Sequence, residues 1–468
     1  MAIGQIKEEQ MHAAQGRPDR QGNFAKGKIP RLILSIAVPT TVAQLTQLLY
    51  SLADRVYLGH LHDLSTAALT AIGLCLPLIA IILAFCNLFS AGGMPLCSMA
   101  RGRGNDEEAA LLQGNTCALL LWSGLAIMLL SYAAMRPLLY LFGASDQSYP
   151  YAREYLEIYL LGTVFAQLGT GMMPFISVQG RASRAMLYVI SGAVLNIILD
   201  PIFIFYLDLG IRGAALASVI AQLVVCLLVL HFLLSKAAVL PFARRHLKLN
   251  WKRSRRIMGL GSAGFVMSST NGVVQIACNL TLRSFGGDAL IGIMTVLMSV
   301  RDLIFEPTKC LTHSAQPVIA YNYGAGIRPR IYEAVRFMTW VTVLYLGAAW
   351  LLIFLFPEYI LRLFNADGHI LEAGVHALHI YFFGFFFMAF HSCGQSTFVG
   401  LGMSKKAIFF ALFRKILIVV PLTLLLPHCF GLGSDGVFLA EPISNVLSGI
   451  VCFGVMWLTL KHLTVKSR

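Results

Sequence analysis

Charge is what this sequence most lacks: Asp, Glu, Lys and Arg make up 12% of its 468 residues, against roughly 25% in ordinary soluble domains. With 57% of the residues hydrophobic, a soluble enzyme is excluded. Nucleotide-binding machinery is missing as well. No GxxxxGK[ST] loop occurs to cradle phosphates, so uphill work done by this chain alone must draw on a gradient. No GxSxG elbow occurs either. The runs GLGSAG at 259–264 and GLGSDG at 431–436 place Ser directly after Gly, the wrong spacing for a nucleophile turn, and read as helix breaks. An intramembrane hydrolase therefore lacks a recognisable nucleophile and base. The ten cysteines form no CxxC pair and lie mostly in apolar runs, so they read as small packing residues, with neither zinc nor disulfides invoked. The first 30 residues are polar and contain no apolar region of the kind a signal peptide needs.

What is abundant is long apolar sequence. Runs broken by charge, Gly or Pro predict twelve helices, over 32–59, 66–99, 108–135, 150–179, 184–207, 212–235, 256–283, 288–321, 331–357, 369–400, 406–427 and 435–460. Each is long enough to cross roughly 30 Å of hydrocarbon. The fold class is an all-α polytopic membrane protein. Pro77, Pro95, Pro174, Pro307 and Pro317 fall inside three of the longer runs and predict bent or broken helices there.

The excess of 36 Lys and Arg over 22 Asp and Glu, +14, lies in the loops. Connections after even-numbered helices hold Arg101 and Arg103, Arg181 and Arg184, Lys236 with Arg244 to Arg256, Arg328 and Arg330, and Lys405 and Lys406. The odd-numbered connections are poorer in such residues. The positive-inside rule then puts both termini of a multi-pass plasma-membrane protein in the cytoplasm. The basic loops are expected to meet anionic lipid rather than nucleic acid. The sequence carries no signal for oligomeric state.

An internal repeat follows from one constant offset. Pro95 and Pro317, Ala67 and Ala289, Gly180 and Gly402, and Ala185 and Ala407 are all 222 residues apart. A repeat of six helices enters the membrane twice in the same direction, as in two-lobed transporters. The expected organisation is a cytoplasmic tail at 1–30, a six-helix lobe at 31–235, a basic cytoplasmic linker at 236–255 and a second, pseudo-symmetric six-helix lobe at 256–462.

The stretches PTTVAQLTQLLYSLADRVYLGHL in helix one, LNIILDPIFIFYLDLGIRGAALASVIAQ across helices five and six, and SAQPVIAYNYGAG after helix eight resemble the multidrug and toxic compound extrusion (MATE) family, in its bacterial multidrug branch. FRKILIVVPLTLLLP and LAEPISNVLSGI in the last two helices also fit, so the resemblance spans about 29–460. It implies two six-helix lobes and an antiporter that exports amphiphilic, often cationic compounds against inward proton or sodium movement. No cofactor is implied beyond the coupling ion, H+ or Na+. A lipid-linked saccharide flippase of the same broad fold is the alternative; its cavity should be basic, whereas acids outnumber bases within the first lobe.

Ionised groups inside a membrane are costly and hence candidates for function. In the first half these are Asp54 and Asp200, with Asn196 one turn before Asp200. A carboxylate can hold a proton or offer oxygen to a hard cation. The resemblance marks Asp54, Asn196 and Asp200 as an ion site, for H+ or Na+, and places a hydroxyl at Ser218. Interfacial pairing of Asp54 with Arg55, and a structural polar pair at Asn196 and Asp200, are the plainer readings. Counting forward 222 from Asn196 and Asp200 reaches Ile418 and Leu422, so that site is not duplicated. Helix eight instead carries Asp302, Glu306, Lys309, His313 and Gln316 on one stripe. The stripe either lines a wet cavity or neutralises itself. Arg301 points off the stripe. Arg414 is expected to snorkel towards the cytoplasm, with Glu441 as a partner within reach. The aromatic run Tyr381 to His391 fits cation binding or, more plainly, packing. His376 and His379 read as surface residues rather than a metal pair.

Overall fold

Hydrocarbon cannot hydrogen-bond the backbone, so a chain this apolar folds into helices that satisfy their own N–H and C=O groups. The computed structural model describes residues 24–59, 65–240, 243–362, 368–429 and 431–465, and contains no strand among them. Its helices are α1 (Ile29–Gly59), α2 (Ser65–Gly102), α3 (Asp106–Ala133), the short α4 (Met135–Leu141), α5 (Tyr149–Val178), α6 (Ala182–Tyr206) and α7 (Gly210–Leu234). After a short turn at Arg244–Leu247 come α8 (Trp251–Gly324), α9 (Arg328–Leu355), the short α10 (Pro357–Arg362), α11 (Glu372–Gly400), α12 (Ser404–His428) and α13 (Ser434–Val465).

Among the described residues ten of these helices are long and apolar enough to cross a bilayer. The expected seventh and eighth spans both lie in α8, which is helical without interruption for 74 residues. At 1.5 Å per residue that length exceeds what two crossings need, and each of the twelve expected spans falls on helical residues of the structure.

The 222-residue offset governs the geometry as well as the letters. α3 begins at Asp106 and α9 at Arg328; α4 begins at Met135 and α10 at Pro357; α6 begins at Ala182 and α12 at Ser404. Gly104 and Gly326 both turn the chain at positive φ, 78° and 74°, and so do Gly180 and Gly402, at 77° and 72°. Only glycine takes that conformation without steric cost. The same turn chemistry therefore ends the same helix in each copy.

The break expected at GLGSAG is corrected, and at the five expected prolines the helices are not broken. Pro77, Pro95, Pro174, Pro307 and Pro317 sit inside helices that continue through them. The two widened turns lie beside other prolines. After Pro201 a widened π-turn spans Ile202–Tyr206, closed by the Leu207 N–H donating to the Ile202 carbonyl at 2.8 Å. Another spans Phe413–Val419, where the Val420 N–H reaches back to the Lys415 carbonyl. Pro421 follows directly; its ring crowds the carbonyl four residues earlier, and the wider turn relieves the clash. GLGSAG likewise breaks nothing: 259–264 is helical, and GLGSDG alone is a turn, with Gly431 and Gly433 at positive φ.

The chain forms two compact units, Val38–Gly261 with the N-terminal residues, and Ser262–Arg468 with Gly27–Ala37. In the first, one core gathers Phe89, Leu112, Phe175, Phe232 and Ile257, and another Leu78, Leu139, Tyr155 and Ile204. The core of the second joins Leu282, Leu297, Leu346, Phe382, Phe385 and Phe438. Nine of the ten cysteines are buried, several of them in these cores, as packing residues would be. Large apolar side chains such as Leu129, Leu130, Leu344 and Leu352 point outward, which suits contact with lipid. The basic linker is partly neutralised within its own unit: Arg253 Nη2 lies 2.8 Å from Glu108 Oε2, and Arg245 3.4 Å from Glu107, at the start of α3.

Within the first unit α2 and the start of α8 cross where only glycine fits. A Cβ on Gly261 would lie 1.7 Å from the Leu88 carbonyl oxygen, and one on Gly92 2.0 Å from that of Ile257. Small residues permit such backbone approach in membranes. Gly261→Leu is expected to cost about 3 kcal/mol or more by overpacking, read as a lowered Tm of the detergent-solubilised protein. Gly259→Ala, whose new Cβ would meet nothing within 4 Å, should leave Tm unchanged or raise it.

Candidate functional site

The first unit buries one acid–amide pair in a membrane helix. Asn196 and Asp200 occupy successive turns near the end of α6, and both side chains are buried. Asn196 Nδ2 donates to Asp200 Oδ1 at 3.3 Å, which holds the carboxylate on that face. Asn196 Oδ1 is buried without a hydrogen-bond partner among the described residues. An acceptor left in this way costs free energy and is available to a proton donor or a cation. Pro201 and the π-turn follow at once, so the pair stands at the point where regular α6 stops.

Ser218 is half-buried on α7, which packs along α6, and no hydrogen bond joins it to Asn196 or Asp200 among the described residues. Asp54 falls on α1, but its side chain lies outside the described residues. Among the described residues Asn196 and Asp200 bring their oxygens together, enough to hold a proton, whereas hard cations such as Ca²⁺ take six to eight oxygen ligands.

In the second unit the expected stripe on α8 is at least partly exposed from Asp302 to His313 and buried at Gln316. Asp302 is exposed and accepts from Arg301 at 2.9 Å. Glu306 pairs with Lys309 at 2.7 Å, the self-neutralising arrangement. His313 is exposed, while Gln316 is buried with Oε1 unpartnered among the described residues. HxxH does not converge either, since His376 pairs with Asp435 at 2.9 Å and His379 faces the Phe354 carbonyl. The aromatic run is largely core: Tyr381, Phe382, Phe385 and Met388 are buried, and Phe383 is exposed.

The densest charge in this unit lies elsewhere. Arg414 Nη2 donates to Glu441 Oε1 at 2.6 Å and to Asn445 Oδ1 at 2.8 Å. Lys415 Nζ reaches the same carboxylate at 3.2 and 3.5 Å. Arg301 Nη1 lies 3.7 Å from Glu441 Oε1 and donates to the Tyr381 hydroxyl at 3.0 Å. Arg414 does not snorkel: its side chain is 7% exposed, because Glu441 on α13 holds it inward. Consecutive residues on a regular helix point well apart. The Phe413–Val419 π-turn narrows that angle and lets Arg414 and Lys415 reach one acceptor. Lys415 and Asn445 were not singled out in the sequence, and Tyr381 only as the first residue of the aromatic run. The available signal was the dipeptide Arg414–Lys415, about 14 Å along the helix from Lys405, too deep for two basic side chains to serve only an interface.

A family model described as MatE matches residues 39–202 and 265–425. The multidrug export protein MepA of Staphylococcus saprophyticus is 23% identical over 444 residues, covering 94% of this chain and 96% of that protein. MepA of Staphylococcus haemolyticus is 25% identical over 451 residues, with coverage of 94% and 96%. A crystal structure of MATE in the bent conformation matches with a TM-score of 0.89 and 23% identity, over 96% of this chain and 100% of that one. A MOP superfamily transporter from Pyrococcus furiosus, described by the reverse polarity of its binding pocket, matches with a TM-score of 0.88 and 22% identity, over 96% and 99%. At these identities the structures establish the fold.

Glu441→Ala should destabilise the protein by about 3–5 kcal/mol, because it leaves buried cations uncompensated. Glu306→Ala, which breaks a partly exposed pair, should cost about 1 kcal/mol or less. Denaturation midpoints in one detergent check the contrast.

Proposed function

The chain belongs to the MatE family, and from that premise we propose that it is an ion-gradient-driven antiporter exporting amphiphilic, often cationic compounds by alternating access. The relatives named as multidrug export proteins support that substrate class. The observation that carries the coupling is the buried Asn196–Asp200 pair at the end of regular α6. An ionised Asp200 in low dielectric favours any cation that reaches it. Binding of a proton or a cation removes or offsets that charge and so weakens the hold on a cationic substrate. For the exchange to do work, inward- and outward-facing states must differ in ion affinity.

Each residue has a stated task. Asp200 is the group that fills and empties. Asn196 orients it through one hydrogen bond and offers Oδ1 to the incoming ion. Asp54 and Ser218 are secondary candidates on α1 and α7. The Pro201 π-turn is a joint at which loading of Asp200 alters the course of the helix. The protein would sit in the bacterial plasma membrane with both termini in the cytoplasm.

Efflux of a fluorescent cation from proteoliposomes, under an imposed pH or sodium gradient, tests the reading and identifies the ion. Asp200→Asn should abolish gradient-driven transport while leaving protein abundance intact. Asn196→Ala, losing a hydrogen bond worth about 1 kcal/mol, should slow transport severalfold. Unchanged transport in Asp200→Asn would discard the assignment, and lipid scrambling without gradient-dependent efflux would favour the flippase.

A further inference from the structure

In the second unit three cations share one buried carboxylate. Arg414, Lys415 and Glu441 are 7%, 6% and 5% exposed at their side chains, and Arg301 is 12% exposed. Three positive groups against one negative leave an excess of two. Asp302 offsets one of these only at the edge, since its side chain is 60% exposed and touches Arg301 alone among the three. A self-neutralising network would match acids to bases and use every donor. Here Arg414 Nε and Asn445 Nδ2 are buried with no acceptor among the described residues. Unmatched buried cations and unmatched buried donors both call for an acceptor of negative charge. The neighbouring Tyr381 hydroxyl already accepts from Arg301.

We propose that the cluster of Arg301, Arg414, Lys415 and Asn445 is a binding site for a compact monoanion, either a small inorganic anion or the carboxylate of an amphiphile. A planar carboxylate is the better geometric match to guanidinium donors, which bind it with charge-assisted bonds. The anion joins Glu441 rather than replacing it, and brings the cluster close to neutrality. If the ligand is a carboxylate-bearing compound, the range handled by the protein extends beyond cations to zwitterions and acids. The site does not depend on antiport, because occupancy can be measured without a membrane or a gradient.

The test is thermal unfolding of the purified full chain in detergent, titrated with sodium benzoate or sodium chloride at constant ionic strength. A ligand that binds only the folded state raises Tm saturably. Wild type should show such a rise with at least one of the two. Benzoate alone acting identifies an organic carboxylate, and chloride acting equally identifies an inorganic anion; both support the site. Lys415→Gln keeps Glu441 paired with Arg414 and Arg301, so it should fold with little change in the ligand-free Tm and weaken anion affinity about tenfold. Glu441→Gln, where it folds, should bind at least tenfold more tightly. A flat titration of wild type with both anions overturns the proposal. So does a Tm rise that persists unchanged in Lys415→Gln, since the anion would then be bound elsewhere.

Discussion

Everything in this structure answers to one constraint: between the loops, no water is available to hydrogen-bond a polar group. The backbone responds by remaining helical from Trp251 to Gly324 and through five internal prolines. Side chains obey the same constraint less completely. The few that carry charge at depth are turned inward and held by partners, as Arg414 and Glu441 are. Where a partner atom is missing among the described residues, as at Asn196 Oδ1 or Arg414 Nε, the protein retains an unfavourable group, and such places are the natural candidates for chemistry.

The two halves repeat their scaffold and not their charges. Helix starts and positive-φ glycines recur 222 residues apart, because turn chemistry and span length are fixed by the bilayer. The polar interiors follow no such rule. The first unit buries an acid beside an amide in α6, and the second gathers three cations around an acid on α13. One architecture thus holds two interiors of different sign.

Much of the fold was legible in the sequence, because membrane spans announce themselves by length and the repeat by a fixed offset. The sites were less so. Asn196 and Asp200 stood out as polar residues in an apolar run, and their spacing of four fixed their contact. The stripe on α8 followed from the same spacing rule, which fixes the shared face and the Glu306–Lys309 pair but not what that face meets. Arg414 was read as reaching for water because the sequence shows distance along a helix but not the carboxylate waiting on another one. GLGSAG was read as a break because glycine disfavours helices; the close approach of Leu88 and Gly261, which favours it, is a tertiary fact.

The widened turn at Phe413–Val419 also bears on how related chains are aligned. It accommodates one residue more than regular α-helix would over the same rise. Residues beyond it are therefore rotated by roughly 100° from where a continuous wheel would place them, at 3.6 residues per turn. A homologue without the widening would carry one residue fewer in the middle of this span. There, a single-residue gap inside a bilayer-crossing segment is the expected footprint of the turn and not an alignment error.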